Sequence, residues 1–156
     1  MRKITPCLWL DDKAEEAARF YTSLFGNSRI VNTVLYGDAG PRPRGTVQTV
    51  TFQLAGQDFM ALNGGPAFTF TPALSFFVSC ETQEEIDRLW DALSAGGKEM
   101  QCGWVTDRYG VSWQIVPSVL GDLLGDGASE RSSKVMKALL AMKKLDVKRL
   151  QQAAEL

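Results

Sequence analysis

Residues 4 to 26 begin with an apolar run, ITPCLWL, and continue into DDKAEEAARFYTSLFG, where apolar residues recur at helical spacing. The run predicts a buried strand and the continuation an amphipathic helix. Asp12 stands where a cap is needed with Glu15 three residues later. Ala14, Ala17, Ala18, Tyr21 and Phe25 fall on one stripe, and Gly26 ends it. The same grammar returns about 70 residues further on, too long a period for a solenoid repeat and better explained by duplication of a small sheet unit. There PALSFFVS is followed by CETQEEIDRLWDALSAGG: Thr82 and Glu85 form a capping box, Ile86, Leu89, Trp90 and Leu93 make the stripe, and Gly96–Gly97 stop the helix.

Strand patterns follow each helix. In the first half they cover Ile30–Tyr36, Thr46–Leu54 and Asp58–Leu62, and in the second Lys98–Trp104 and Val111–Val116. The first half therefore reads β-α-β-β-β, and the second repeats it with one strand less clearly marked. Gly37–Gly45 (GDAGPRPRG) predicts a hairpin loop, Asp107–Gly110 a tight turn and Asn63–Pro72 the link between halves. Beyond Pro117 the periodicity is helical. A short turn is expected at Ser118–Leu124, a helix over Ser129–Met142 with Val135, Leu139 and Met142 inward, and a last one capped by Asp146 and running through Ala154.

Composition narrows the function classes. The chain has 156 residues, 45% hydrophobic and 22% charged, typical of one soluble globular domain. No apolar stretch approaches the roughly 18 residues of a membrane span, and MRKITPCLWLDD does not read as a signal peptide. Net charge is −1, but Ser129–Leu156 carries seven Lys or Arg against three Asp or Glu. That tail has no aromatic residue, so it reads as a solvated helix face and not a nucleic-acid surface. Cys7, Cys80 and Cys102 leave one thiol unpaired in any disulfide scheme and follow no CxxC spacing, which predicts reduced thiols and a cytoplasmic protein. There is no histidine, so no side chain has an ordinary pKa near neutrality for acid–base work.

The opening ITPCLWLDDKAEEAARFYTSLFG, the middle PALSFFVSCETQEEIDRLWDALSAGGKEMQCGWVTDRYGVSWQIVP and the tail KALLAMKKLDVKRLQQA resemble the PhnB-like branch of the vicinal oxygen chelate superfamily. That superfamily includes glyoxalase I, fosfomycin- and bleomycin-resistance proteins and extradiol dioxygenases. Domains of this branch often carry the label 3-demethylubiquinone-9 3-methyltransferase. The resemblance implies an α+β fold in which paired βαβββ modules form an incomplete barrel, usually in a homodimer, with a ligand in the barrel cavity. Residues 1–127 would be the glyoxalase-like domain, with modules at about 1–63 and 73–117, and 128–156 a C-terminal helical extension.

In metal-using members, His, Gln or Glu side chains from the first and last strands of the modules hold a divalent ion. Carried onto this chain, those places fall at Gln114, near Ser75, near Asn63 and among Pro6, Cys7 and Leu8. That set holds neither imidazole nor carboxylate, so no metal and no cofactor are expected. Gln114, Ser75 and Asn63 are instead candidates to bind a ligand by hydrogen bonds, with Trp9, Phe52, Phe76 and Trp104 as pocket walls or, on the plainer reading, strand core. No catalytic residue is assigned. Asp107 and Arg108 lie in a turn, and Cys102 has no histidine to activate it. The methyltransferase label finds no glycine-rich turn after the first strand, which runs into LDDKAEEA. The leading expectation is a metal-free, dimeric binder of a small aromatic or amphipathic molecule, with no nucleic-acid or membrane partner. The alternatives are a lyase, isomerase or transferase of the same superfamily and a dimeric interaction module.

Overall fold

The computed structural model describes residues 1–156, and the fold is α+β, with two four-stranded sheets and helices at the C-terminus. It divides into two compact units, Met1–Thr69 and Phe70–Leu156. No helix is long and apolar enough to cross a membrane.

The first unit runs β1 (Cys7–Leu10), α1 (Ala14–Leu24), β2 (Arg29–Leu35), β3 (Val47–Leu54) and β4 (Gln57–Asn63), in sheet order β1-β4-β3-β2. β1 is parallel to β4 and the other pairs are antiparallel. Helix α1 packs on β3 and β4. Its Ala14, Ala17 and Ala18 are fully buried, and such small side chains let the helix lie close to the sheet. Tyr21 on the same stripe stacks on Phe52 at 6.4 Å, and Phe52 on Phe59 at 5.6 Å.

Two details of α1 depart from the sequence pattern. Asp12 does not cap the helix: Lys13 occupies that position and makes no side-chain cap bond. The Ala14 N–H is instead accepted by Asn63 Oδ1 at 2.8 Å, from the end of β4. Parallel pairing sets Leu10 beside Asn63, so the strand end meets the helix start. At the other end Leu24, not Phe25, completes the stripe, because Phe25 is already extended.

The second unit repeats the plan with β5 (Ser75–Cys80), α2 (Gln83–Ser94), β6 (Lys98–Glu99), β7 (Trp104–Thr106) and β8 (Ser112–Pro117), in order β5-β8-β7-β6 and with β5 parallel to β8. Thr82 caps α2 as expected, its side chain accepting from Glu85 N at 3.2 Å, while the Glu85 carboxylate accepts from Glu81 N. Ile86, Leu89, Trp90 and Leu93 are all buried.

Lys98–Trp104 is not one strand. It breaks into β6 and β7 around Met100–Gly103, where Cys102 (φ 61°) and Gly103 (φ 83°) are both left-handed. The faintly marked strand is therefore this two-residue β6, and the second module is a complete βαβββ unit.

Three helices follow: α3 (Leu120–Leu124), α4 (Glu130–Leu140) and α5 (Val147–Glu155). Asp146 caps the last, accepting from Arg149 N at 3.0 Å. They belong to the second compact unit, where Val135, Leu139, Met142, Leu145 and Leu150 cluster with Val116 of β8. Gln83 ties α2 to this segment: its amide nitrogen donates to Leu145 O and its oxygen accepts from Val147 N.

Asn63 is buried, and its amide also donates to Val47 O at 3.1 Å. Asn63→Ala removes a helix cap and strands a carbonyl, and is expected to cost about 2 kcal/mol or more. Urea denaturation checks this, and an unchanged midpoint would mean the α1 cap carries no stability.

Candidate functional site

Alternation along β5 and β8 gives the second unit's sheet two unlike faces. Phe76, Trp113, Ile115 and Val105 lie on the side covered by α2, with Phe76 and Trp113 in ring contact at 5.3 Å. Ser75, Phe77, Ser112, Gln114, Trp104 and Thr106 lie on the other. The register aligns Phe77 with Gln114 and Gln114 with Trp104, so an amide sits between two aromatic side chains in one row across three strands. Phe77 is 63% exposed, whereas Gln114 and Trp104 are half-buried. Gln114 Nε2 donates to Ser75 Oγ at 3.0 Å. At the far end of this face Val116 is sealed beneath the C-terminal helices.

The adjoining turn is held by Asp107. It is buried, its Oδ1 accepts from Tyr109 N (2.8 Å) and Val111 N (3.1 Å), and its Oδ2 accepts from Trp113 Nε1 (2.9 Å). Every one of these bonds organises the turn into β8. Asp107 thus fixes the turn that leads into the strand carrying Gln114.

Of the seven residues that the sequence offers as ligand binders or pocket walls, Gln114, Ser75 and Trp104 share one face of one sheet, and Phe76 lies on its opposite, α2-covered face. Trp9 is half-buried in the first unit. Its Nε1 donates to Gly65 O at 2.9 Å and its ring meets Phe68 edge-on at 5.0 Å. Phe52 is fully buried between Tyr21 and Phe59 on the α1 side of its sheet. Asn63 spends its amide on Ala14 and Val47. Phe52 and Asn63 therefore do structural work, as core and cap.

Phe77 is not among the seven. The only signal for it in the sequence was its position two residues after Ser75, on the same face, within the apolar run SFFVS.

No group of three or more His, Cys, Asp or Glu side chains comes together anywhere. All three cysteines are free. Burial, with Glu85 adding to it, pushes the Cys80 thiol up to about 12, and partial burial of the Cys7 sulfur raises that thiol too. Because the thiolate is the nucleophile and the metal-binding form, both are poor candidates for either role near neutral pH. The glycines at Asn63–Pro66 do not form an open cradle: a Cβ on Gly64 would run into the Trp9 indole. A separate cavity of about 530 Å³ opens beside α3 and α4, lined by Leu124, Met136, Leu140 and Lys137 among others, and none of the seven candidate residues lines it.

Two βαβββ units in succession, each with its first and last strands paired in parallel, define the fold class of the vicinal oxygen chelate superfamily. The chain belongs to the 3-demethylubiquinone-9 3-methyltransferase family, the PhnB-like branch of that superfamily, whose sequence model matches residues 2–116. A PhnB protein from Bacillus cereus is 44% identical, with a TM-score of 0.69 over 74% of this chain and 99% of that one. A Pseudomonas aeruginosa protein (22% identity, TM-score 0.62, 75% and 98% covered) shares the fold. So does the fosfomycin resistance protein FosX of Listeria monocytogenes (15%, 0.52, 81% and 99%), which was solved with manganese(II) and sulfate. Comparison with curated protein sequences gives no match.

Thiol chemistry offers a direct check on this geometry. In native protein at pH 8, Cys80 is expected to stay silent toward a disulfide reagent and to react only after denaturation. Three rapidly reacting thiols in the native state would contradict the buried placement.

Proposed function

We propose that the protein is a metal-free binder of a small aromatic or amphipathic molecule, acting by sequestration or sensing. The observation that carries this reading is the Phe77–Gln114–Trp104 row, a half-buried hydrogen-bonding amide flanked by two aromatic side chains on one sheet face. Ligand sites combine apolar walls with a few placed polar groups, and this face has that composition. The residues standing where metal-using relatives place ligands are Cys7, Asn63, Ser75 and Gln114. They do not suit a divalent ion: the Cys7 thiol is held protonated, both ends of the Asn63 amide are engaged, and a lone amide and a hydroxyl are weak neutral donors.

The family's methyltransferase name gains no support from the residues. β1 runs directly into Asp11–Asp12–Lys13, and the Gly64–Gly65 turn is filled by Trp9. The C-terminal helices bury Val135, Leu139 and Leu150 within their own unit, so packing accounts for much of their apolar surface, while Met136 and Leu140 of α4 stay exposed. We further propose a homodimer in the cytoplasm, supported by the exposed Val31, Val34 and Leu35 on the edge strand β2 and by three free thiols.

Protein purified without chelator is expected to carry no stoichiometric metal and to bind none of Mn, Ni, Zn or Mg in titration. A small-aromatic ligand found by screening should bind about five- to tenfold more weakly to Gln114→Ala, the worth of one hydrogen bond. Stoichiometric metal lost in Gln114→Ala would make a metal-dependent enzyme the better reading. Light scattering checks the dimer, and a monomer at micromolar concentration would remove it.

A further inference from the structure

We propose that this face selects a neutral planar ring bearing an adjacent hydrogen-bond donor and acceptor, a lactam-like edge, and discriminates against carboxylates and phosphates. The proposal rests on the reading of the Phe77–Gln114–Trp104 row as the ligand site. Its basis is the direction of one hydrogen bond. Gln114 Nε2 donates to Ser75 Oγ, and neither side chain makes another hydrogen bond. Gln114 thus keeps its amide oxygen as an acceptor and the second hydrogen of Nε2 as a donor. The Ser75 hydroxyl has accepted a bond and keeps its own O–H to donate. Acceptor and donor side by side match a ligand edge with the opposite pair, as in a cyclic amide. A carboxylate can take one of these donors, but its second oxygen then faces the lone pairs of the Gln114 oxygen with no cation beside it.

Charge points the same way. Of the side chains that the register puts on this face, Lys98 alone is ionisable, on the edge strand β6 in the row with Thr106, Ser112 and Ser75. It is two to three strands from the Gln114–Ser75 pair, roughly 10–14 Å at the usual strand spacing. That exceeds a Debye length of about 8 Å at physiological ionic strength, so Lys98 does little to attract an anion there.

The row also sets the shape. Phe77 and Trp104 stand on the strands either side of β8, each about 4.8 Å from it. A flat ring held over Gln114 lies within the 4.5–7 Å typical of aromatic neighbours on both sides, whereas a bulky aliphatic body forfeits those contacts.

The test uses the full chain and three probes of similar size: 2-quinolone, with the lactam edge; quinoline-2-carboxylate, with an anionic edge; and naphthalene, with none. Affinities come from calorimetry, and the site from NMR shifts of the Gln114 side-chain amide. The quinolone is expected to bind about tenfold or more tightly than naphthalene, with the carboxylate weakest and little dependence on salt. Gln114→Leu combined with Ser75→Ala should reduce the quinolone to the naphthalene level. Gln114→Glu, isosteric and checked for folding by circular dichroism, should transfer preference to 2-aminoquinoline, which presents only donors when protonated. Equal binding of naphthalene and quinolone, or tightest binding of the carboxylate, overturns the edge selectivity while leaving a small-molecule binder. Absence of saturable binding by every probe to the folded protein overturns both.

Discussion

Each module depends on the parallel pairing of its first strand with its last. In the first, that pairing lays Leu10 beside Asn63 and brings the end of β4 to the start of α1, so that one amide caps a helix and holds the beginning of β3. The Asn63 carbonyl accepts from the Tyr36 hydroxyl at 2.6 Å, which draws in the hairpin loop as well. In the second, the pairing aligns Cys80 with Pro117 and the chain is fastened by Ser118 N donating to Cys80 O. There α2 takes its cap from the adjacent Thr82. The same topology thus solves one problem, the unpaired donors at a helix start, with a long-range partner in one half and a local one in the other.

The two halves have diverged in what their sheets hold. The first unit folds its linker back onto Trp9, whose indole is tied to Gly65 and flanked by Phe68. The second leaves Phe77 bare and Gln114 only partly covered. Beneath that face the Asp107 turn and the Phe76–Trp113 contact are fully engaged, which fixes the strand from behind without using any group on its open side.

Helices were legible in the sequence wherever their signals are local. Thr82, Ser129 and Asp146 all precede their helices and all cap them. The start of α1 was misread because its cap lies 49 residues away in sequence, beyond any local pattern. The break between β6 and β7 escaped notice within Lys98–Trp104 because two residues give no alternation, and because the turn after them puts Cys102, a residue with a Cβ, in a left-handed conformation. The candidate site was half legible. The period of a strand separates Gln114 from Trp113, yet in SFFVS two adjacent phenylalanines leave open which one faces out. Phe52 looked equally suited to a wall or a core, and its neighbour across space, Tyr21, decides for the core.

The turn between β6 and β7 has a consequence for where this chain can be cut. The Cys102 N–H donates to Met142 O and the Gly103 N–H to Lys143 O, both at 2.8 Å, and Leu145 presses on Gly103. The stretch between α4 and α5 therefore behaves as an extra strip of backbone sewn onto the sheet. A chain trimmed to the region its family shares would leave two amides without acceptors and bare Val116. The tail of this protein is a structural debt of its second module, so a tag is better appended after Leu156 than substituted for the helices.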